Sequence, residues 1–386
     1  MNEKVVTKFA QWRPSARKIW LNVHLWLGLI AGFVLSLIGL SGAFLVVFSP
    51  VLEMELGNHL FRVAAPPPFH VAVDDWIAGA QRAYGDIGTV NFVMGPGYGV
   101  GFGDAANLGM VDRDGRFFVI TIDSSNGRPI GKFNWLNTYS YAILQFHARL
   151  NPFSWGEDVL AWAGVAMLAS MATGLYLWWP RNRNWYVALT LKRGARGRRR
   201  LLDLHNLFAV YLYVPLLILA FTGIYFIRPY WIDPAVSLVS VPRTPDPEAL
   251  ARISKPGTCN ARTTPGQAAD LAQARYPTAK FVAIDIPRAE QQPYLVRLAA
   301  PNNLNDKGQT QVYVDRECPI ILTAIDGEIR VASEVFRAVV YPLHRNLMLG
   351  PFGSAIVILS GLLLPVSFVT GVLLWLDKRK ARKSVG

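Results

Sequence analysis

The sequence predicts a membrane all-α fold: a four-helix bundle built as a tandem two-helix repeat, with both termini cytoplasmic and two small α+β domains on the outer side. Three observations predict it. First, Leu25–Phe48, Val159–Trp179, Leu207–Ile227 and Gly353–Leu376 are apolar runs uninterrupted by Asp, Glu, Lys or Arg, and about 20 such residues span a bilayer core. Second, the net charge of +13 is concentrated beside these runs: Met1–Trp20, Pro180–Leu204 and Asp377–Gly386 hold 18 basic against 3 acidic residues, whereas the remainder holds 21 against 23. Basic flanks of this kind mark the cytoplasmic side, and they remove the reason to read the charge as a nucleic-acid surface. Third, the chain repeats itself, and a repeat has to be found before any architecture is drawn. His24 and His205 each precede a glycine by 18 residues (Gly42, Gly223), and His147 and His344 each precede a threonine by 26 (Thr173, Thr370).

In chain order, residues 1–48 are a basic arm and the first span, whose Gly28, Gly32, Gly39 and Gly42 flatten its surface for helix packing. The run is too long for a signal-peptide core, so it reads as an uncleaved anchor, and Pro50 marks its exit. Residues 49–158 form the first outer domain: a Pro66-Pro67-Pro68 linker, a helix over Asp74–Tyr84, strands over Gly88–Met94 and Phe117–Ile122, a turn at Ser125-Asn126-Gly127, and an interfacial helix over Trp135–Leu150. The second span, 159–179, leads into the basic inner loop 180–204. The third, 205–227, carries Pro215 as a kink. The second outer domain, 228–352, opens with a Pro-rich linker at Val241–Pro247. It continues with a helix over Gln267–Tyr276, strands over Lys280–Ile286, Tyr294–Ala299 and Gln311–Val314, an irregular stretch to Asp326-Gly327, and an interfacial helix over Ser333–Leu347. The fourth span, 353–376, and a basic tail, 377–386, complete the chain. Cys259 and Cys318, the two cysteines present, are disulfide candidates in an oxidising compartment.

This topology puts His24 and His205 at the inner ends of the first and third spans, and His147 and His344 at the outer ends of the second and fourth. A lone histidine there can snorkel to the interface or bond a neighbouring helix. Two that face each other can take both axial positions of a haem iron, closing it to substrates and leaving it an electron carrier. Two b-type haems, one near each face, are therefore expected. Arg149 and Arg345 stand beside the outer histidines and Arg17, Lys18, Arg198 and Arg199 before the inner ones, placed to pair haem propionates, although the inner cations are equally explained by membrane orientation. His59 and His70 have no counterpart and read as solvated. Ser41-Gly42, Thr173-Gly174, Thr222-Gly223 and Thr370-Gly371 read as helix contacts. No His-Glu-x-x-His, Walker or dinucleotide glycine motif occurs, which disfavours a zinc hydrolase or a bound nucleotide.

The stretches HLWLGLIAGFVLSLIGLSG from His24, TGLYLWWPRNR from Thr173 and the His-Arg-x-Leu-x-x-Gly opening at His344 resemble the PepSY-associated transmembrane family of bacterial inner-membrane proteins. The outer stretch TPGQAADLAQARYP through YLVRLAA to TQVYVDRECPI looks like a PepSY module, with its usual Asp-x-x-x-Gly closure replaced at Asp315. The resemblance implies a multi-pass protein of the cytoplasmic membrane with periplasmic domains, acting as a haem-dependent ferric-siderophore reductase. Electrons would pass from a quinol or a flavin reductase through the haem at His24/His205 to that at His147/His344, and then to the chelated Fe(III). His147 departs from the pattern, being followed by Ala148-Arg149 rather than by arginine directly. Two rival readings are a siderophore or iron permease and a non-enzymatic anchor for peptide-binding outer modules.

Overall fold

A computed structural model describes residues 16–63, 73–85, 88–98, 103–181, 183–243, 245, 249–250, 259, 262–289, 292–305 and 307–383. The arm before Ala16, the Pro66-Pro67-Pro68 linker, His70 and part of the Val241–Pro247 linker lie outside them. The chain divides into two compact units. One comprises Met1–Val46, Leu144–Ile232 and Leu343–Gly386; the other comprises Val47–Ile143 and Asp233–Pro342.

The first unit is helical. Helices α1 (Ala16–Val46), α5 (Gly156–Trp178) and α12 (Gly350–Lys383) are each long and apolar enough to cross a membrane. The third expected span is broken: α7 (Gly197–Tyr211) and α8 (Tyr213–Ile227) meet at 63° and make a fourth crossing if the pair is one span. Pro215 explains the break, since its ring clashes with the carbonyl four residues back, on Tyr211, and offers it no N–H. Pro365, by contrast, sits inside an unbroken α12. Helices α1 and α12 cross closely: a Cβ on Gly39 would stand 2.8 Å from the Gly361 carbonyl oxygen, and one on Gly361 would collide with that of Gly39. Met167, Leu216 and Ala220 form an apolar layer with Leu35, Leu168 and Leu364. Short helix α6 (Trp185–Ala188) follows α5, held by Trp178 Nε1 donating to the Ala188 carbonyl and Tyr211 Oη to that of Leu189.

The second unit corrects the expectation of two separate small domains. Residues from both outer segments build one antiparallel sheet of eight strands: β1 (Thr89–Met94), β2 (Ala106–Val111), β3 (Phe117–Ile122), β4 (Pro129–Phe133), β5 (Lys280–Asp285), β6 (Tyr294–Ala299), β7 (Thr310–Val314) and β8 (Ile321–Ile325), in the order β4-β3-β2-β1-β5-β6-β7-β8. Two four-stranded meanders join where Val93 pairs Ile284. The physical reason is edge pairing: separate meanders would each leave a strand edge unpaired, and the β1–β5 ladder satisfies both. The sheet's outer edge at β4 begins with Pro129, a residue tolerated at strand starts and edges. Sequence reading missed β2, β4 and β8. In β2 five of six residues are buried and no alternation shows, and Gly109 is required because Phe92 lies where its Cβ would stand.

Helices α3 (Val73–Tyr84) and α10 (Pro265–Arg275) give Val73, Trp76, Ala80, Ala268, Ala269 and Ala272 to one core with the sheet residues Val93, Leu108, Ile120, Ile284, Val296 and Val312. The two repeats are tied at this level too. Thr264 caps α10 within a capping box, and Asp74 of α3 accepts from Thr264 Oγ1 at 2.5 Å and Gly266 N at 2.8 Å. Cys259 and Cys318 are disulfide-bonded. Pro50 lies in the first turn of α2 (Phe48–Leu56), so the chain turns into a new helix there. Helices α4 (Tyr139–Arg149) and α11 (Ala332–Asn346) lead from this unit into the helical one, and α9 (Pro229–Ser237) leads out of it.

Candidate functional site

The four repeat-related histidines all belong to the helical unit and meet in two pairs. His24 of α1 faces His205 of α7, and His147 at the end of α4 faces His344 at the end of α11; the ring centroids are 6.2 Å apart in both pairs. Each pair joins the two repeats. The rings are inclined by 82° in the first pair and 59° in the second.

The Nδ1 contacts, in contrast, stay within each repeat. His24 Nδ1 lies 3.0 Å from the Ser170 carbonyl oxygen and 3.2 Å from Thr173 Oγ1 on α5. His147 Nδ1 lies 3.0 Å from the Ile38 carbonyl oxygen and 3.1 Å from Ser41 Oγ on α1. His205 Nδ1 repeats the first arrangement on α12, with the Ser367 carbonyl at 3.0 Å and Thr370 Oγ1 at 3.1 Å. His344 Nδ1 lies 2.7 Å from Thr222 Oγ1, a hydroxyl that itself donates to the Ile218 carbonyl. A carbonyl can only accept, and a hydroxyl already donating must accept, so every Nδ1 carries the proton and every Nε2 keeps its lone pair. Bonding at one ring nitrogen fixes the tautomer and aim of the other, as in metal-bound histidines generally.

The glycine that follows each of these hydroxyl residues serves the same ring. A Cβ on Gly42 would stand 2.8 Å from His147 Cε1, and one on Gly174 3.0 Å from His24 Cε1; on Gly223 and Gly371 the corresponding distances to His344 and His205 are 3.5 and 3.6 Å. The four Ser/Thr-Gly pairs therefore hold imidazoles, where the sequence suggested helix contacts. The signal that could have found this was present: each pair recurs at a constant distance from a histidine.

Two corners aim the second pair. Three residues past His147 and past His344, Leu150 (φ 49) and Leu347 (φ 55) take the left-handed conformation that costs a side-chain-bearing residue about 1–2 kcal/mol. The next span then starts hard against the helix it follows. A Cβ on Gly156 would collide with the Arg149 carbonyl, and one on Gly353 with that of Asn346. Phe226 packs edge-on against His344, with centroids 5.3 Å apart. Burial holds His147 and His344 below the usual histidine range; His344 is pushed down to about 3, by burial first and then by the repulsion that a protonated His147 would exert. Both rings are thus neutral at physiological pH, the form that ligates metals.

Three of the other expected site residues are already engaged. Arg149 pairs with Glu157 at 3.4 Å, Arg199 with buried Asp203 at 2.8 Å, and Arg17 donates to the Leu177 carbonyl at 2.9 Å. Lys18 and Arg198 are exposed and Arg345 is half-buried. His59 is exposed on the 3-10 turn Asn58–Leu60.

The residues fit a haem. An imidazole nitrogen binds a transition metal at about 2 Å and lies about 1.1 Å from its own ring centre, so two rings sharing one ion on opposite sides have centres roughly 6.2 Å apart. Among the described residues no group of three or more His, Cys, Asp or Glu is assembled. A bare zinc ion needs about four ligands, whereas a porphyrin supplies four of its own and asks two of the protein.

The fold and these pairs define a class: a polytopic membrane protein with paired histidines in its helical unit and an antiparallel sheet domain. The model of the PepSY-associated TM region matches residues 21–261 and 230–385, and the chain belongs to that family. No curated protein matches it.

Proposed function

We propose that the chain is a two-haem oxidoreductase of the cytoplasmic membrane, passing electrons across the bilayer to reduce a ferric siderophore in the periplasm and release Fe(II). The observation that carries this reading is the geometry of the two pairs: four imidazoles whose Nδ1 is bonded to a helix, with ring centres 6.2 Å apart, the separation expected of two imidazoles that share one metal ion. His24 with His205, and His147 with His344, would each hold one haem, which when bound would supply one-electron transfer.

The chain's own residues do the positioning. Ser170, Ile38 and Ser367 carbonyls and the Thr222 hydroxyl orient the rings, Gly42 and Gly174 leave them room, and the Met167–Leu216–Ala220 layer keeps water out of the helical unit. Along α1, His24 and the Ser41 that holds His147 are 17 residues apart, or about 26 Å at 1.5 Å per residue, which matches a pair near each face of the bilayer. Release of iron follows from charge: Fe(II) is held less tightly than Fe(III) by hard oxygen donors.

The test is the optical spectrum of the purified protein. An intense Soret band is expected, together with loss of one haem equivalent when either His24→Ala or His147→Ala is introduced. A colourless protein refutes the reading. A permease would retain substrate accumulation in both variants, and an anchor would retain its binding in the sheet unit alone.

A further inference from the structure

Beside the inner histidine pair, the turn after α5 folds back as α6 and encloses a cleft of about 190 Å³ against α7, lined among others by Trp178, Asn184, Val187, Asp203, Asn206 and Leu207. Asp203 carries the observation that points to a ligand. Its side chain is 5 % exposed, its Oδ1 is paired to Arg199 at 2.8 Å, and its Oδ2 is buried with no hydrogen-bond partner among the described residues. A buried carboxylate oxygen left without a donor is costly, and a ligand hydroxyl would satisfy it. Trp179, Trp185, Tyr186 and Tyr211 are exposed around this turn, the composition of a membrane interface.

We propose that this cleft binds the ring of a membrane-dissolved hydroquinone, with Asp203 Oδ2 accepting a hydrogen bond from one ring hydroxyl and the Asn206 amide serving the other oxygen. The size selects the class: sites for drug-sized ligands run to roughly 300–1,000 Å³, so the cleft suits one substituted six-membered ring and is too small for a flavin or nicotinamide nucleotide. The apolar lining from Trp178, Val187 and Leu207 suits the ring faces, and the exposed aromatic rim suits an isoprenoid tail leaving toward lipid. Asp203 and Leu207 lie within one turn of His205 on α7, so a ring in the cleft is about a helix diameter, roughly 10 Å, from that imidazole. The assignment rests on the electron-transfer reading above and gives it a donor. Oxidation of one hydroquinone to quinone would break two O–H bonds, release two protons to water and give up two electrons, one for each of the two haems that His24 with His205 and His147 with His344 would hold.

The experiment is photolabelling of the full-length detergent-purified protein with an azido-benzoquinone, followed by peptide mapping and a parallel Soret spectrum. Label is expected within residues 178–207, chased by excess decyl-hydroquinone. Asp203→Asn should cut it about tenfold, the loss expected of one hydrogen bond to a charged acceptor. Leu207→Trp, which fills the cleft and leaves Asp203 paired with Arg199, should abolish it. Label elsewhere, label indifferent to both variants, or haem reduction by a soluble flavoprotein that hydroquinone cannot replace overturns the assignment. A Soret band without label in the cleft sinks this inference alone; mapped, chased label on a colourless protein sinks the electron-transfer reading and leaves a quinone site.

Discussion

Alanine substitution at the two glycines that serve the His147/His344 pair should have unequal consequences. A Cβ at Gly42 would stand 2.8 Å from His147 Cε1, about 0.6 Å inside the 3.4 Å at which ordinary contact begins, whereas at Gly223 the distance to His344 Cε1 is 3.5 Å, already ordinary. His147 cannot simply retreat, because its Nδ1 is held at 3.0 Å by the Ile38 carbonyl and at 3.1 Å by Ser41 Oγ on the same helix as Gly42. Overpacking of this kind costs about 1–3 kcal/mol, which converts to roughly 5- to 150-fold weaker retention of whatever the pair holds. On the proposed function, Gly42→Ala should therefore lose the haem of the His147/His344 pair while Gly223→Ala keeps it. The His24/His205 pair should behave alike, with Gly174→Ala, at 3.0 Å, more damaging than Gly371→Ala, at 3.6 Å. Haem per protein, measured by pyridine haemochrome after a common wash, reads the difference. Equal retention in Gly42→Ala and Gly223→Ala would refute the cradle argument, because the two differ in clearance and share the same pair.

Three further outcomes follow from the sheet unit. Replacing Cys259 and Cys318 by serine removes a bridge of sequence separation 59 and should lower stability by about 4 kcal/mol on the chain-entropy account, seen as a lower thermal midpoint with the visible spectrum unchanged. Glu334 is held below the ordinary carboxylate range by the hydrogen bonds of Arg243, which donates from its backbone N and guanidinium. A depressed carboxyl contributes stability above its unfolded value, near 4.5, and loses it as pH falls further. Unfolding followed from pH 6 to pH 3 should thus show a steeper loss in the native protein than in Glu334→Gln. Asp74→Ala removes both acceptors at the start of α10 and should cost about 1 kcal/mol, within the range for a lost cap, read as faster amide exchange in the first turn of that helix.

What was legible in the sequence was what composition and spacing carry. Uninterrupted apolar runs and basic flanks gave the spans, since charge in hydrocarbon is too costly to hide. The helix over Asp74–Tyr84 and the strands beginning at Phe117, Lys280 and Tyr294 followed from periodicity, while β2, buried on nearly every residue, offered none. Pro215 marked a break, but its angle depends on what packs on either side. The constant separations of 18 and 26 residues determined that four histidines come in repeat-related sets. Only the tertiary structure decided what those distances are for. Hydroxyl and glycine meet a ring on a different helix, more than a hundred residues away in the chain, and the two outer segments share one sheet through a ladder between strands nearly two hundred residues apart. Local sequence sets which backbone and side-chain groups need partners; which partner each one finds is fixed when the helices and strand edges close on one another, and no pattern within a single segment records it.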